Sequence, residues 1–376
     1  MNRHRYIFYV ILGVLGSLAA IGQWQMYGTA FPVLAGHRGF VFFALSPLLF
    51  VIPYVGALKL PRALTKVLAH IGGYWFIATY YGLIVMIPFF LLRLAAMLTK
   101  NGGLVSLTEW YGRLTALILI ILLCYGAYVA RHPVVRRVEV ATGKPLAKER
   151  RIAFISDLHL GIVLGKPFVR KLAAQLKEAA PDVLLIGGDI IDGNLEFVLR
   201  DGSLSELRLL RDAVPECIAV FGNHDHYGID IGMERRVLSE SGILCLAGES
   251  YTTKDGFYIA GMADHMHVPL QRIRKAPDET FSIFMEHEPV QIRPAARAGY
   301  DLYVSGHTHA GQFWPNRAAT KRIFELDYGM KKYGSMTAVV SSGYGSWGAL
   351  FRLGVSPEII VITVRSENAR KDKAGT

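Results

Sequence analysis

Four apolar stretches in the first third of the chain, at about residues 6–24, 40–58, 67–92 and 110–130, constrain the fold more than any other feature. Each is close to the ~20 residues an α-helix needs to cross the hydrocarbon core of a bilayer. Arg3 and Arg5 precede the first, as in a signal peptide. Three more spans follow it and no small-x-small site opens a soluble chain, so the first is expected to be retained. Four spans put both flanks of the region on one side. That side carries Arg3, Arg5, Lys59, Arg62, Lys66 and, after the last span, Arg131, Arg136, Arg137, Lys144 and Lys148. The opposite side has Arg38, Arg93, Lys100 and Arg113. The excess of Lys and Arg predicts that the remainder of the chain is cytoplasmic.

Composition supports this division. Residues 1–130 hold nine Lys/Arg and one acid, Glu109, so about +8 of the formal +11 belongs to the apolar part and about +3 to the rest. The basic balance is therefore a topology signal, and nucleic acid is not an expected partner. The four stretches contain no acid, and His37 and His70 fall near their ends. Transporters usually place ionisable groups at membrane depth, so an anchor is the expectation. Cys124, Cys217 and Cys245 are widely spaced, which fits neither a disulfide framework nor a zinc–thiolate site, and all three read as buried thiols.

From Arg131 the pattern becomes that of a globular domain. Short apolar runs predict buried strands at 152–155, 183–186, 218–221, 257–260, 281–285, 302–304, 337–340 and 359–364. Helical spacing predicts helices at 166–180 and 205–213. The early alternation of strand and helix indicates an α/β domain, with a mixed sheet later where helices are lacking. The expected organisation is an anchor over 1–130, a globular domain over 131–365 and a solvated tail over 366–376.

The strands end on one kind of residue: Asp157-Leu158-His159, Asp189, Asn223-His224-Asp225, His287 and His307-Thr308-His309. Ligands of open α/β sheets collect beyond the carboxyl ends of strands. Carboxylate, amide and imidazole donors without thiolate suit Mn, Fe or Zn. If strand geometry continues through Asp157-x-His159 and His307-x-His309, alternation puts both side chains of each pair on one face. Glycines before Asp189, Asn223 and His307 are expected to let the backbone turn sharply there.

This ordered series resembles the full motif set of the calcineurin-like metallophosphoesterase superfamily, over about residues 151–365. The flanks Ser156–Gly161, Glu286-His287-Glu288-Pro289, Gln312 and Ser356-Pro357-Glu358 resemble a bacterial, membrane-anchored branch. The resemblance implies a four-helix transmembrane region followed by an α/β metallophosphoesterase domain of two mixed β-sheets sandwiched by helices. It implies two divalent ions, Mn first and Fe or Zn as alternatives, bridged by Asp189. One ion would take Asp157, His159 and His309, the other Asn223, His287 and His307. His224 would protonate the leaving group or steady the transition state. Asp192 matches the second acid of a GDxxD pattern and would orient His224, with Asp225 as the competing partner. Ala310 stands where the family often has glycine.

The implied activity is hydrolysis of a phosphodiester or pyrophosphate bond at the inner-membrane face. A lipid-linked substrate such as UDP-diacylglucosamine comes by analogy within the superfamily. A soluble, cyclic-nucleotide-like diester is the alternative enzyme reading, and a non-catalytic scaffold or a transporter with a regulatory domain ranks below it. Arg352, in a glycine-rich stretch, is a candidate phosphate clamp, with a surface ion pair as the equal alternative. His265 and His267 are candidates for a substrate phosphate or an auxiliary metal, with a solvated loop as the preferred reading. The oligomeric state is left open.

Overall fold

The computed structural model describes residues 3–55, 60–146, 148–192, 195–227, 230–265 and 273–366. It comprises two compact units: residues 1–128 with Gly348–Phe351, and residues 129–347 with 352–376. His267 and residues 367–376 lie outside the described residues, whereas Ser366, expected in the tail, ends a strand.

The first unit is built from α1 (Arg3–Ala30), α2 (Gly36–Leu45), α3 (Leu48–Val55), α4 (Arg62–Thr99) and α5 (Gly102–Arg131). They provide four candidate membrane spans, the second made of α2 and α3 together. Sequence hydropathy read that second span as continuous; Pro47 follows the C-cap of α2 and separates the two helices. At 38 residues α4 is about 57 Å long, well beyond a hydrocarbon core of about 30 Å. Glu109, read as outside the spans, lies inside α5 and pairs with Arg113 at 3.6 Å.

Between these helices, small residues and backbone carbonyls make the close contacts, as expected where lipid removes the hydrophobic incentive to associate. A Cβ on Gly112 would come within 2.6 Å of Ala30, and one on Gly72 would collide with the carbonyl of Leu49. Gln23 Nε2 donates to Thr79 O at 2.8 Å, and Tyr111 Oη to Val85 O at 2.8 Å. Within the same unit, Tyr54 Oη donates to Gly348 O (3.1 Å) and Tyr74 Oη to Leu350 O (3.0 Å). Cys124, expected to be buried, is exposed on α5.

The second unit contains two six-stranded mixed sheets. Its strands are β1 (Val134–Thr142), β2 (Arg150–Ile155), β3 (Val183–Gly187), β4 (Glu216–Val220), β5 (Ile243–Cys245), β6 (Glu249–Thr252), β7 (Tyr258–Gly261), β8 (Ser282–Met285), β9 (Leu302–Ser305), β10 (Gly329–Tyr333), β11 (Met336–Val340) and β12 (Glu358–Ser366). Its helices are α6 (Lys166–Ala179), α7 (Leu195–Asp201), α8 (Arg208–Ala213), α9 (Ile231–Glu240), α10 (Ile292–Arg297) and α11 (Arg317–Ile323). One sheet runs β1-β12-β2-β3-β4-β5, the other β10-β11-β9-β8-β7-β6.

Side-chain parity assigns the faces. Ile152, Phe154, Leu185, Ile218 and Val220 of the first sheet meet Ile259, Ile283, Met285 and Val304 of the second in one core. The alternate residues Ala153, Ile155, Leu184 and Ile186 pack with Leu172 and Leu176 of α6. Ala260, Phe284 and Tyr303 pack with Ile292 and Ala295 of α10. Central strands covered on both faces read as unbroken apolar runs. The strands β2, β3 and β4 are mutually parallel, as are β7, β8 and β9. The carboxyl ends of β2, β3, β4, β8 and β9 supply the polar residues of the site.

Candidate metal centre

The ligand candidates leave their strands on an unusual backbone. Strand β2 ends at Ile155, and Asp157 and His159 then adopt φ of 56° and 47°. Asp189 (51°), His307 (70°) and His309 (50°) do the same. These are left-handed conformations that side chains with a Cβ rarely adopt. The expected strand-like alternation through Asp157-x-His159 and His307-x-His309 is therefore incorrect: turning, not pleating, brings each pair together. The loops after β2 and β3 brace each other, with Asp157 N–H donating to Gly188 O and His159 N–H to Asp189 O, both at 2.9 Å. Of the three glycines read as turn-makers, Gly188 alone has a positive φ, 85°. Gly222 and Gly306 instead allow close approach, since a Cβ on the first would strike Asp189 and on the second Ser156 and Asp157.

The side chains converge in two groups around Asp189. In one, His159 Nε2 and His309 Nε2 are 3.0 Å apart and His309 Nε2 is 3.3 Å from Asp157 Oδ1. In the other, His307 Nδ1 is 3.0 Å from Asn223 Oδ1 and 3.2 Å from His287 Nε2. Asp189 Oδ2 lies 3.7 Å from His159 Nε2 and 3.3 Å from His287 Nε2. Ligand atoms sharing one cation stand about 2.0–2.2 Å from it, and so about 3–3.5 Å from one another. The donor set fits two cations with Asp189 between them. The groups Asp157/His159/His309 and Asp157/Asp189/His287 are each buried and within ligand-sharing distance.

Neighbours orient the donors. Asn223 Nδ2 donates to Tyr227 Oη at 3.2 Å, which turns the amide oxygen toward His307. His287 Nδ1 faces Gly187 O at 2.7 Å, leaving Nε2 for the site. Ser156 Oγ donates to Asp157 Oδ2 at 2.5 Å. Nothing in the sequence singles out Tyr227 for this task, and Ser156 shows only as part of a motif flank.

Burial drives His159 down to about 4 and His307 down to about 3, keeping both rings neutral, as ligands must be. Burial raises Asp157 to about 6, with His287 opposing and Asp189 reinforcing. Burial also works against the charge on Asp189, yet His287 and His224 hold its pKa well below the usual carboxylate range.

His224 stands at the edge of this cluster, its ring centroid 4.7 Å from that of His159. Its Nδ1 is 3.0 Å from Asp192 Oδ1. Asp225 is engaged elsewhere, accepting from the N–H groups of Ile190, Ile191 and Gly222 at 2.9, 2.9 and 2.8 Å. Burial pulls the His224 pKa down, but Asp189 and Asp192 outweigh it and raise it to about 9.

Two readings change. Arg352 is not offered to a substrate: it is fully buried, and its guanidinium donates to Ser342 O (2.8 Å), His309 O (3.2 Å), Gly345 O and Ser346 Oγ (3.1 Å). Its Nη2 also lies 3.0 Å from His309 Nδ1. His265 Nε2 is 2.9 Å from Glu288 Oε2, and Glu288 Oε1 is 3.3 Å from His307 Nε2, so His265 reaches the cluster through Glu288. Asp264, His265 and Glu288 form a further group within ligand-sharing distance. Ala310 has φ 49°, a left-handed backbone that glycine would adopt without strain.

Residues 150–311 match the model of the calcineurin-like phosphoesterase family. An uncharacterized metallophosphoesterase of Aquifex aeolicus is 29% identical over 257 residues, covering 64% of this chain and 97% of the relative. One from Helicobacter pylori is 31% identical over 235 residues, covering 59% of this chain and 62% of the relative. A Bos taurus protein described as a transmembrane protein with metallophosphoesterase domain is 28% identical over 264 residues, covering 63% of this chain and 58% of that one.

Proposed function

Because its second unit carries a calcineurin-like metallophosphoesterase domain, of a family of metal-dependent phosphoester hydrolases, we propose that this chain cleaves a phosphodiester or pyrophosphate bond of a lipid-borne substrate. The observation that carries the reading is the pairing of His224 with Asp192 at 3.0 Å, beside two converging donor sets joined at Asp189.

Asp157, His159 and His309 would hold one ion, and Asn223, His287 and His307 the other, with Asp189 shared. Bound cations would supply a nucleophile from water at neutral pH and Lewis-acid stabilisation of phosphoryl charge. The chain's own residues prepare the rest. The neutral, buried imidazoles of His159 and His307 present their lone pairs without first losing a proton, whereas Asp189 outweighs burial and holds the pKa of His287 well above the usual value. His224, held protonated by Asp192 and Asp189, carries a proton at its ring edge for the leaving oxygen. Asp192 fixes which nitrogen faces outward. Manganese is the proposed ion, with iron or zinc as alternatives.

Residues 1–130 serve as the anchor and 131–365 as the catalytic body. The four apolar helices support a substrate that resides in the bilayer, such as a lipid-linked nucleotide diphosphate. The Lys and Arg distribution supports an inner-membrane protein with its catalytic unit in the cytoplasm.

Purified protein with Mn²⁺ should hydrolyse bis(p-nitrophenyl) phosphate, and Asp189→Ala should abolish the activity. Full activity in that variant would refute the site assignment. Lipid analysis of a deletion strain should show an accumulating lipid phosphate, and an unchanged lipid profile would remove the lipid-borne substrate. Protease added to spheroplasts should spare the catalytic unit; its cleavage would reverse the orientation.

A further inference from the structure

The two donor sets are alike in front and opposite behind. His307 offers Nδ1 to Asn223 and His287, and its Nε2 lies 3.3 Å from the carboxylate of Glu288. His309 offers Nε2 to His159 and Asp157, and its Nδ1 lies 3.0 Å from the guanidinium of Arg352. A carboxylate behind a ligating imidazole makes the ring a stronger donor. A guanidinium has no acceptor: the hydrogen bond it donates to Nδ1 puts the single proton of the neutral His309 ring on Nε2, and that proton must leave before Nε2 can ligate, so it does the reverse. Arg352 also acts electrostatically on Asp157, the anionic ligand of the same set. At the Asp157–His159–His309 position one carboxylate charge is thus countered by a buried cation. At the Asn223–His287–His307 position the carboxyl group of Glu288 faces His265 at 2.9 Å and no comparable guanidinium among the described residues.

We infer that the two ion positions are unequal: the Asn223–His287–His307 position takes the first, tighter ion, and the Arg352-backed position takes a weaker, exchangeable second. Arg352 is on this account a positioning residue, holding the His309 ring while lowering its strength as a donor. Glu288, through His307, sets the affinity of the other position. The inference rests on the dinuclear reading above.

The test is a Mn²⁺ titration of the full-length, chelator-stripped protein in detergent, following free Mn²⁺ by electron paramagnetic resonance. Two binding steps separated by at least about tenfold are expected, in line with the effect of such second-layer partners. Glu288→Gln should weaken the tighter step by about 10–100-fold and leave the other in place. Arg352→Met should tighten the weaker step, while Arg352→Lys, which keeps the charge, should not. Thermal melting in chelator identifies any variant that fails to fold, and Glu288→Gln, a near-isosteric change, then carries the test alone. Two equal steps in the parent protein, or a Glu288→Gln variant that weakens only the looser step, would overturn the inference and leave the dinuclear reading standing. Fewer than one ion per chain would overturn both.

Discussion

The two units of this chain are built on opposite rules. In the helical unit many large apolar residues face outward, with Leu18 63% and Leu98 76% exposed, while Gln23 and Tyr111 donate to backbone carbonyls. In the sheet unit the apolar residues are inside, yet Asp157, Asp225, Glu234 and Arg352 are fully buried among them. In the first unit many residues could be exchanged for others of similar hydropathy. In the second, a buried charge such as that of Arg352 has specific partners and a large penalty if it loses them. Hydropathy therefore specifies the helices, whereas pairing specifies the site.

The sharpest way to break this contrast is at the proposed proton carrier, His224. His224→Ala should lower turnover by about 10²–10⁴-fold while leaving melting temperature nearly unchanged. The His224 pKa is raised to about 9, so the acid form is lost as pH climbs through that value and the rate should fall there. Asp192→Asn should move that descending limb to lower pH, as a pH–rate profile with a diester substrate will show.

Next in size is a charge on the outward face of the helical unit. Ile120 is exposed on α5, and Ile120→Lys should disfavour insertion by about 3 kcal/mol. The fraction of protein in the membrane should fall, read by fractionation, while the rate per folded molecule on a soluble diester holds. A matching loss of rate would erase the proposed division of labour.

A smaller effect is expected at Glu234, buried in α9 next to Asp225. Burial and that second carboxyl push its pKa well above the usual value of 4.5. Its folded form keeps a proton that the unfolded form gives up above about pH 4.5, so stability falls as pH rises from there. Glu234→Gln removes this slope: the variant should melt higher than the parent at pH 8, and the difference should close toward pH 4. The smallest expected effect is at Ala310, where glycine relieves a left-handed backbone and should stabilise the fold by about 1 kcal/mol in a denaturant titration.

What the sequence made legible follows the same division. Eight strands were readable because burial on both faces leaves unbroken apolar runs. The four that escaped, β1, β5, β6 and β10, are the edges of the two sheets. The strands β1 and β10 carry Arg136, Arg137, Lys331 and Lys332, charges that suit an edge and hide a strand. The donor residues were legible because each closes a strand. Their convergence was not, since it depends on turns taken by non-glycine residues. Arg352 was misread because its partner, His309, lies 43 positions away and only packing joins them. The choice between Asp192 and Asp225 needed the structure too, for it turns on three backbone N–H groups that occupy Asp225.

The left-handed backbone at Asp157, His159, Asp189, His307 and His309 has a consequence for how this sequence can drift. Each of the five costs about 1 kcal/mol relative to glycine, against a typical total stability of about 5–15 kcal/mol. Selection for folding alone would favour glycine at all five places. A lineage released from ion binding should therefore lose these side chains quickly, and gain stability as it does so. On the proposed dinuclear reading, the five side chains stand where the fold alone would favour glycine.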